Sequence, residues 1–379
     1  MSMGVSERTV IVGHFDVHGI TAAYLAAKAF NATEVFANYP QTSPENLVST
    51  LQNLYAAAPA KLRLIIVDVP VDLKNPTAFV QGLENLAARH EILFMDHHES
   101  SIPYLPQFKN VRTIILGPSA LTLNNFLLSQ ISNATENDKL LSVVGAVADR
   151  DPEVIRRGVF SQDIQALSDG LDVLVREKDG ALTTLRRLVS EPTAVINEAR
   201  ARVAAIPSAT LSAKVGVVAV ANALPEGWGP KALERLAFAQ GAWYAVGHEF
   251  VTRNNQWIVR AIQRWDIAAK MSHLVTPGAV ARELWPTRNV IGHPAAPSVA
   301  ATTEGEAREM ALQWARAISE KATAAASPVT AAFISESNVG IILAEILQRM
   351  EKMYEEYLEL KRKQVELLER ATRSTTRYD

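Results

Sequence analysis

The sequence contains no cysteine, which excludes disulfides, thiolate metal ligands and a cysteine nucleophile, and suits a reducing compartment. It also lacks an excess of charge of either sign. With a formal net charge of −2, no global field draws it to nucleic acid, so a polyanion has to be held by a local positive site, metal ions included. Long apolar runs are missing too: stretches such as Leu62–Val71 fall short of the ~20 residues that span a bilayer. A strand-like run begins within the first ten residues, where a signal peptide would need its basic and apolar regions. The expectation is a cytoplasmic protein with no membrane contact.

What is present is an ordinary globular composition, 48% hydrophobic and 21% charged, over 379 residues, a length that favours two domains. Short runs rich in Val and Ile recur at Thr9–Gly13, Glu34–Asn38, Leu62–Val69, Glu91–Met95 and Arg112–Leu116, separated by helical patterns. Near-continuous apolar runs alternating with helices are what a parallel sheet covered on both faces requires, so residues 1–182 read as a doubly wound α/β domain. A polar helical stretch follows, and 183–211 reads as a linker helix. Residues 212–334 read as a smaller mixed α/β domain, with strands at Val215–Asn222, Tyr244–Val251 and Trp257–Ile262.

The last segment, 335–379, has a different period. Val339, Leu343, Ile346, Met350, Met353, Tyr357, Leu360, Gln364, Leu367 and Ala371 follow a four-three alternation, the seam of a coiled coil with one polar interruption. A C-terminal amphipathic helix that joins copies of the chain into a homo-oligomer is expected.

The chemistry concentrates at the ends of the predicted strands. In "VIVGHFDVHGITAA", His14, Asp16 and His18 alternate, and in an extended chain alternate residues point to one side. Gly19 then permits a close turn into a helix starting near Ile20. Asp68 closes "LRLIIVD", Asp96, His97 and His98 close "EILFM", and Asp149 follows the apolar "VVGAVA". Ligands in open parallel sheets bind outside the carboxyl ends of the strands, so these residues are expected to form one cluster. Mixed imidazole and carboxylate donors suit Mn²⁺, Co²⁺, Fe²⁺ or Zn²⁺, and there are enough of them for two ions.

The order H-x-D-x-x-G, strand-end Asp, D-H-H and later G-x-x-x-D resembles the DHH phosphoesterases, which include RecJ-like exonucleases, nano-RNases and family II pyrophosphatases. "HFDVHGITAA" looks most like the archaeal RecJ-related nucleases. The resemblance implies that His14, Asp16 and Asp68 hold one divalent ion. His18, Asp68, His97 and Asp149 would hold a second, with manganese favoured and magnesium, cobalt or zinc as alternatives. It further implies that His98 contacts the scissile phosphate or assists proton transfer, and that Asp96 orients the imidazoles beside it. The departure is His18, where the family usually has aspartate. One negative charge is lost there, which should weaken binding of a hard ion such as Mg²⁺ relative to Mn²⁺ or Zn²⁺.

In the second domain "NVIGHPAAPSVAATT" resembles the glycine-rich segment of the DHH-associated domain, with Gly292 and His293 in place but the leading glycines replaced by Val290 and Ile291. "WIVRAIQRWDIAAKM" resembles the family strand that carries a phosphate-binding arginine, which selects Arg260. Arg264 and Trp265 are helpers, the latter as a stacking surface for a base. Together these readings imply two-metal hydrolysis of phosphodiesters in single-stranded DNA or short RNA. The alternatives are hydrolysis of a small phosphoester such as phosphoadenosine phosphate or a cyclic dinucleotide, and a weakly active or inactive scaffold that binds a replication or repair protein.

Overall fold

The computed structural model describes residues 8–271, 274–293 and 295–325, and the heptad seam from Val339 to Ala371 lies outside them. Strands β1 (Arg8–Gly13), β2 (Glu34–Phe36), β3 (Leu62–Val67), β4 (Glu91–Asp96) and β5 (Arg112–Ile115) form a parallel sheet in the order β2-β1-β3-β4-β5. The apolar runs become strands because both faces of each central strand are covered. Val10, Val12, Leu64 and Ile66 face one side and pack on helices α2 (Pro44–Tyr55) and α3 (Pro76–Ala87). Ile11, Ile65, Val67, Leu93 and Met95 alternate to the other side, against α1 (Val17–Ala29), α4 (Ala120–Ser129) and α5 (Glu136–Ala148). The strand order reverses direction between β1 and β3. That reversal opens a crevice at the carboxyl ends of these two strands, where sheets of this kind place their ligands.

After the short α6 (Pro152–Arg156), helices α7 (Gln162–Arg176), α8 (Gly180–Ser190) and α9 (Pro192–Arg202) complete the first domain. The expected linker helix is thereby corrected. Leu185, Leu188, Val195, Ile196 and Ala199 are buried in the same core as β1 and α1, and burial of the leucine, valine and isoleucine side chains contributes roughly 1.5–3 kcal/mol each. The stretch reads as polar because only one stripe of each helix faces inward, and Pro192 at the start of α9 breaks what periodicity alone reads as one helix.

The second domain is a six-stranded mixed sheet in the order β10-β11-β9-β8-β7-β6. Its strands are β6 (Leu211–Val215), β7 (Val218–Ala223), β8 (Tyr244–Val251), β9 (Gln256–Gln263), β10 (Val290–His293) and β11 (Ala296–Ala301). Only β7 and β8 pair in parallel, across the crossover helix α10 (Gly229–Ala239). The short α11 (Trp265–Lys270), α12 (Pro277–Leu284) and α13 (Glu304–Ala325) follow, and α12 and α13 bury the fully enclosed Trp314 against one face. The segment expected as a glycine-rich phosphate loop is instead a β-hairpin on the sheet edge, with Gly292 opposite Pro297 and His293 opposite Ala296. Among the described residues no helix is long and apolar enough to cross a membrane.

Candidate metal centre

The site is assembled at the ends of β1, β3 and β4 and the end of α5. His14 leaves β1 and its Nδ1 lies 2.7 Å from Asp16 Oδ2, while the other oxygen of Asp16 accepts the Gly19 N–H at 2.7 Å and so caps α1. The extended geometry expected for residues 14–18 does not hold: β1 ends at Gly13 and the chain bends at Phe15 and Asp16. The helix starts at Val17, so His18 lies in its first turn, 2% exposed, and reaches the cluster from a helix rather than a strand. Gly19 is therefore not a turn before the helix but a point of close approach. A Cβ there would run into the Cβ and carbonyl of His14.

Asp68, 2% exposed, holds a left-handed backbone with φ of +59° directly after β3. That conformation is costly for most side chains and tolerated best by Asn and Asp. It places Asp68 Oδ1 at 2.9 Å from His18 Nδ1 and 3.1 Å from His97 Nε2. His97 Nε2 is in turn 3.6 Å from Asp149 Oδ2, and Asp149 is the C-cap residue of α5. At the end of β4, the fully buried Asp96 divides its carboxylate, with Oδ1 at 2.7 Å from His98 Nδ1 and Oδ2 accepting the Ser101 hydroxyl at 2.6 Å.

Three overlapping groups of donors come within 4.8 Å of one another: His14, Asp16 and Asp68; His18, His97 and Asp149; and Asp68, Asp96, His97 and His98. The first is one of the ligand sets the resemblance implies, and the second is the other set without Asp68, whose oxygen is close to both of its histidines.

The electrostatics suit cations. Burial opposes a charge on His18, but Asp68, Asp149 and Asp16 outweigh it and push its imidazole up to about 10. Burial likewise opposes ionisation of Asp68, and the two imidazoles beside it hold its carboxyl far below the usual range. His98 is pushed up to about 9 because Asp96 overcomes its desolvation, and His14 is raised by Asp16 in the same way. Although His18 Nδ1 is close to Asp68, the contact is not aligned as a hydrogen bond, and neither ring nitrogen of this buried imidazole has an aligned partner. An imidazole with both nitrogens orphaned against carboxylates fits a metal ligand better than a structural hydrogen-bonding residue. The donor set, nitrogen and carboxylate oxygen without sulfur, fits Mn²⁺, Co²⁺ or Zn²⁺.

A cavity of about 340 Å³ separates Asp16, His18 and Asp149 from the second domain. Its far wall is made by Trp228 and Lys231 of the segment that opens α10, and by Asp172 and Arg176 of α7. Sequence reasoning missed this wall and the adjoining Arg150. The available signal was Trp228 between two glycines in "PEGWGP", an aromatic residue in a turn.

Arg260, Arg264 and Trp265 of the second domain are not part of that lining. Arg260 donates through Nε to the buried Glu249 and through Nη1 to Ser298 Oγ at 2.8 Å. Arg264 grips Asp266 with two nitrogens at 2.9 and 2.6 Å and stacks on Phe238, its guanidinium 4.3 Å from the ring centre. Trp265 is 7% exposed, edge-on to Phe160, and donates to Gln165 of the first domain at 3.2 Å. Its expected role as a stacking surface is corrected: the ring is packed between the domains and has no free face. The side chains of Gly292 and His293 lie outside the described residues.

No protein-family model and no curated protein matches the chain. Among solved structures, it is similar to a pGpG-specific phosphodiesterase, PggH, from Vibrio cholerae, at 11% identity and a TM-score of 0.48, covering 83% of this chain and 100% of that one. It is also similar to the DHH domain of a protein described as a member of a ribosomal-protein family, at 13% identity and 0.45, covering 83% and 86%. A third is RecJ in complex with Mn²⁺ from Thermus thermophilus, at 15% identity and 0.38, covering 84% and 52%. At these scores the likeness carries no functional weight, and the reading of the site stands on its own geometry.

Proposed function

We propose that this chain is a metal-dependent phosphodiesterase of the DHH type, acting on single-stranded DNA or short RNA with two divalent cations. The observation that carries the reading is the convergence of His14, Asp16, His18, Asp68, His97 and Asp149 in two adjoining donor groups, with Asp68 against both. Manganese is the ion we favour, because three carboxylates supply hard oxygen donors beside the three imidazoles.

When bound, the cations supply charge neutralisation at the phosphoryl oxygens and lower the pKa of an attacking water. The chain supplies the rest. Asp68, fixed by its left-handed backbone and by its N–H donating to the Met95 carbonyl at 2.9 Å, stays ionised and holds both donor groups in place. Asp96 orients His98 and keeps its imidazole protonated near neutral pH, so His98 is suited to bind a phosphate oxygen or give a proton to a leaving group. The second domain closes one side of the site and limits entry of bulk water.

A cavity of about 340 Å³ is at the low end of the roughly 300–1,000 Å³ typical of small-ligand sites, which supports very short oligonucleotides or a small phosphoester over a duplex. The test is a time course on 5′- and 3′-labelled single strands, dinucleotides and phosphoadenosine phosphate with Mn²⁺, Co²⁺, Mg²⁺ and Zn²⁺. Release of mononucleotides dependent on added metal supports the reading, and the absence of cleavage with all four ions rejects it. A protein that binds the ions yet cleaves nothing would favour the scaffold alternative.

A further inference from the structure

We propose that Trp228, backed by Arg176, is the platform on which a substrate nucleobase stacks while the adjoining phosphate is held at the metal centre. The inference rests on the phosphodiesterase reading and names the residue that would give that site its preference for nucleotides.

Placement is the first ground. Trp228 lines the same cavity as Asp16, His18 and Asp149, so a ligand with its phosphate at those residues shares that space with the indole. The second ground is that this indole is not part of a hydrophobic core. Of the six tryptophans, Trp243, Trp257, Trp285 and Trp314 pack in the core of the second domain and Trp265 in the cluster between the domains. Trp228 belongs to none of the apolar clusters and is only half-buried, in a turn. A large aromatic residue exposed to a polar cavity leaves apolar surface in water that folding alone does not require.

The third ground is rigidity. The Arg176 guanidinium is 5.6 Å from the indole centre, within cation–π range, and its Nε is tied to Asp172 at 2.9 Å. Beneath the turn, Gly229 lies close to the buried Glu249 and its half-buried partner Arg260. A Cβ at this position would meet Glu249 Oε2 at 2.8 Å and Arg260 Cδ at 3.0 Å. An indole fixed before the ligand arrives loses little entropy on stacking, and every base offers it a π-face.

The experiment uses the full-length protein with Mn²⁺ and compares a dinucleotide with the same sugar-phosphate dimer lacking bases. Replacing a stacking aromatic by alanine should raise KM for the dinucleotide about 10- to 100-fold with kcat nearly unchanged. Kinetics on the base-free dimer should not move, and Trp228→Phe should restore most of the loss. Trp228→Leu, which keeps apolar bulk without a π-face, should behave as Trp228→Ala and serves if the latter does not fold. Equal losses on both substrates, or an unchanged KM for the dinucleotide, overturn the proposal.

If the wild-type protein hydrolyses neither compound, the phosphodiesterase reading has failed, and calorimetric titration with AMP and ribose 5-phosphate decides the platform separately. Binding of AMP at least tenfold tighter than ribose 5-phosphate, with that margin largely kept in Trp228→Phe and lost in Trp228→Leu and Trp228→Ala, supports it. Equal binding of the two ligands by the wild-type protein overturns it.

Discussion

Replacing Asp68 by asparagine is the sharpest perturbation the site offers. Asparagine adopts a left-handed backbone as readily as aspartate, so the φ of +59° at this position adds no strain to the variant. The change is confined to one charge, and the oxygen that carries it sits 2.9 Å from His18 and 3.1 Å from His97. A unit charge about 4 Å from a divalent ion at an effective dielectric near 20 is worth roughly 8 kcal/mol, about half of which is offset by the cost of desolvating the carboxylate, leaving close to a thousandfold in affinity. Asp68 Oδ1 adjoins both proposed ion positions, so Asp68→Asn should weaken both ions by about two to three orders of magnitude, the amide oxygen recovering part of the loss. Asp16→Asn, by contrast, touches only the His14–Asp16–Asp68 group and should remove one ion. Calorimetric titration of metal-free protein with Mn²⁺ reads stoichiometry and affinity together. Two ions bound by Asp68→Asn at wild-type affinity would refute the reasoning.

Other consequences follow from the same geometry. Because His18 is pushed up to about 10 and must be neutral to ligate, Mn²⁺ affinity should climb steadily between pH 6 and 9, as titrations at several pH values would reveal; a flat profile contradicts this role for His18. His18→Asp restores a negative ligand and should shift the ratio of activity with Mg²⁺ to activity with Mn²⁺ upward by about tenfold or more, and an unchanged ratio would show that this position does not tune metal preference. Asp96→Asn removes the carboxylate that holds His98 charged, so the His98 imidazole should titrate near its ordinary value instead of about 9 in an NMR titration, with kcat at pH 8 reduced roughly 10- to 100-fold. Far from the site, Asp138 is fully buried, and although burial opposes its charge, Lys28, Tyr24 and Thr135 hold its carboxyl below the usual range. The stability it contributes is present above the ordinary carboxylate value and is lost as pH falls through its depressed folded value. Asp138→Asn should thus cost about 3 kcal/mol at pH 7 in urea unfolding, with the gap to wild type narrowing below pH ~4.

The first domain was legible because its physics is local. A strand buried on both faces must be apolar at nearly every position, and the runs ending at Gly13, Val67 and Asp96 are just that, which also located the cluster at their ends. The helices α8 and α9 were misread as a linker because a one-sided apolar stripe on a polar helix looks solvated until its partner is known. The second wall of the cavity was not legible at all. Trp228 and Arg176 are far apart in the chain and meet where Lys231 of α10 pairs with Asp169 and Asp172 of α7, a contact no local pattern encodes. The hairpin at Val290–Ala301 was obscured by its glycine and proline, which suggest a loop; Gly292 is on the edge strand β10, and Pro297 stands at the start of β11, ahead of its first pairing with β9 at Ser298.

The central claim is that side chains scattered from His14 to Asp149 hold two neighbouring divalent cations. Crystals grown with Mn²⁺ and measured at the manganese absorption edge test it most directly. The account predicts two anomalous peaks, one touching His14, Asp16 and Asp68 and the other touching His18, His97 and Asp149, with Asp68 against both. Peaks lying elsewhere, or none at this cluster with Mn²⁺ in excess, would contradict it.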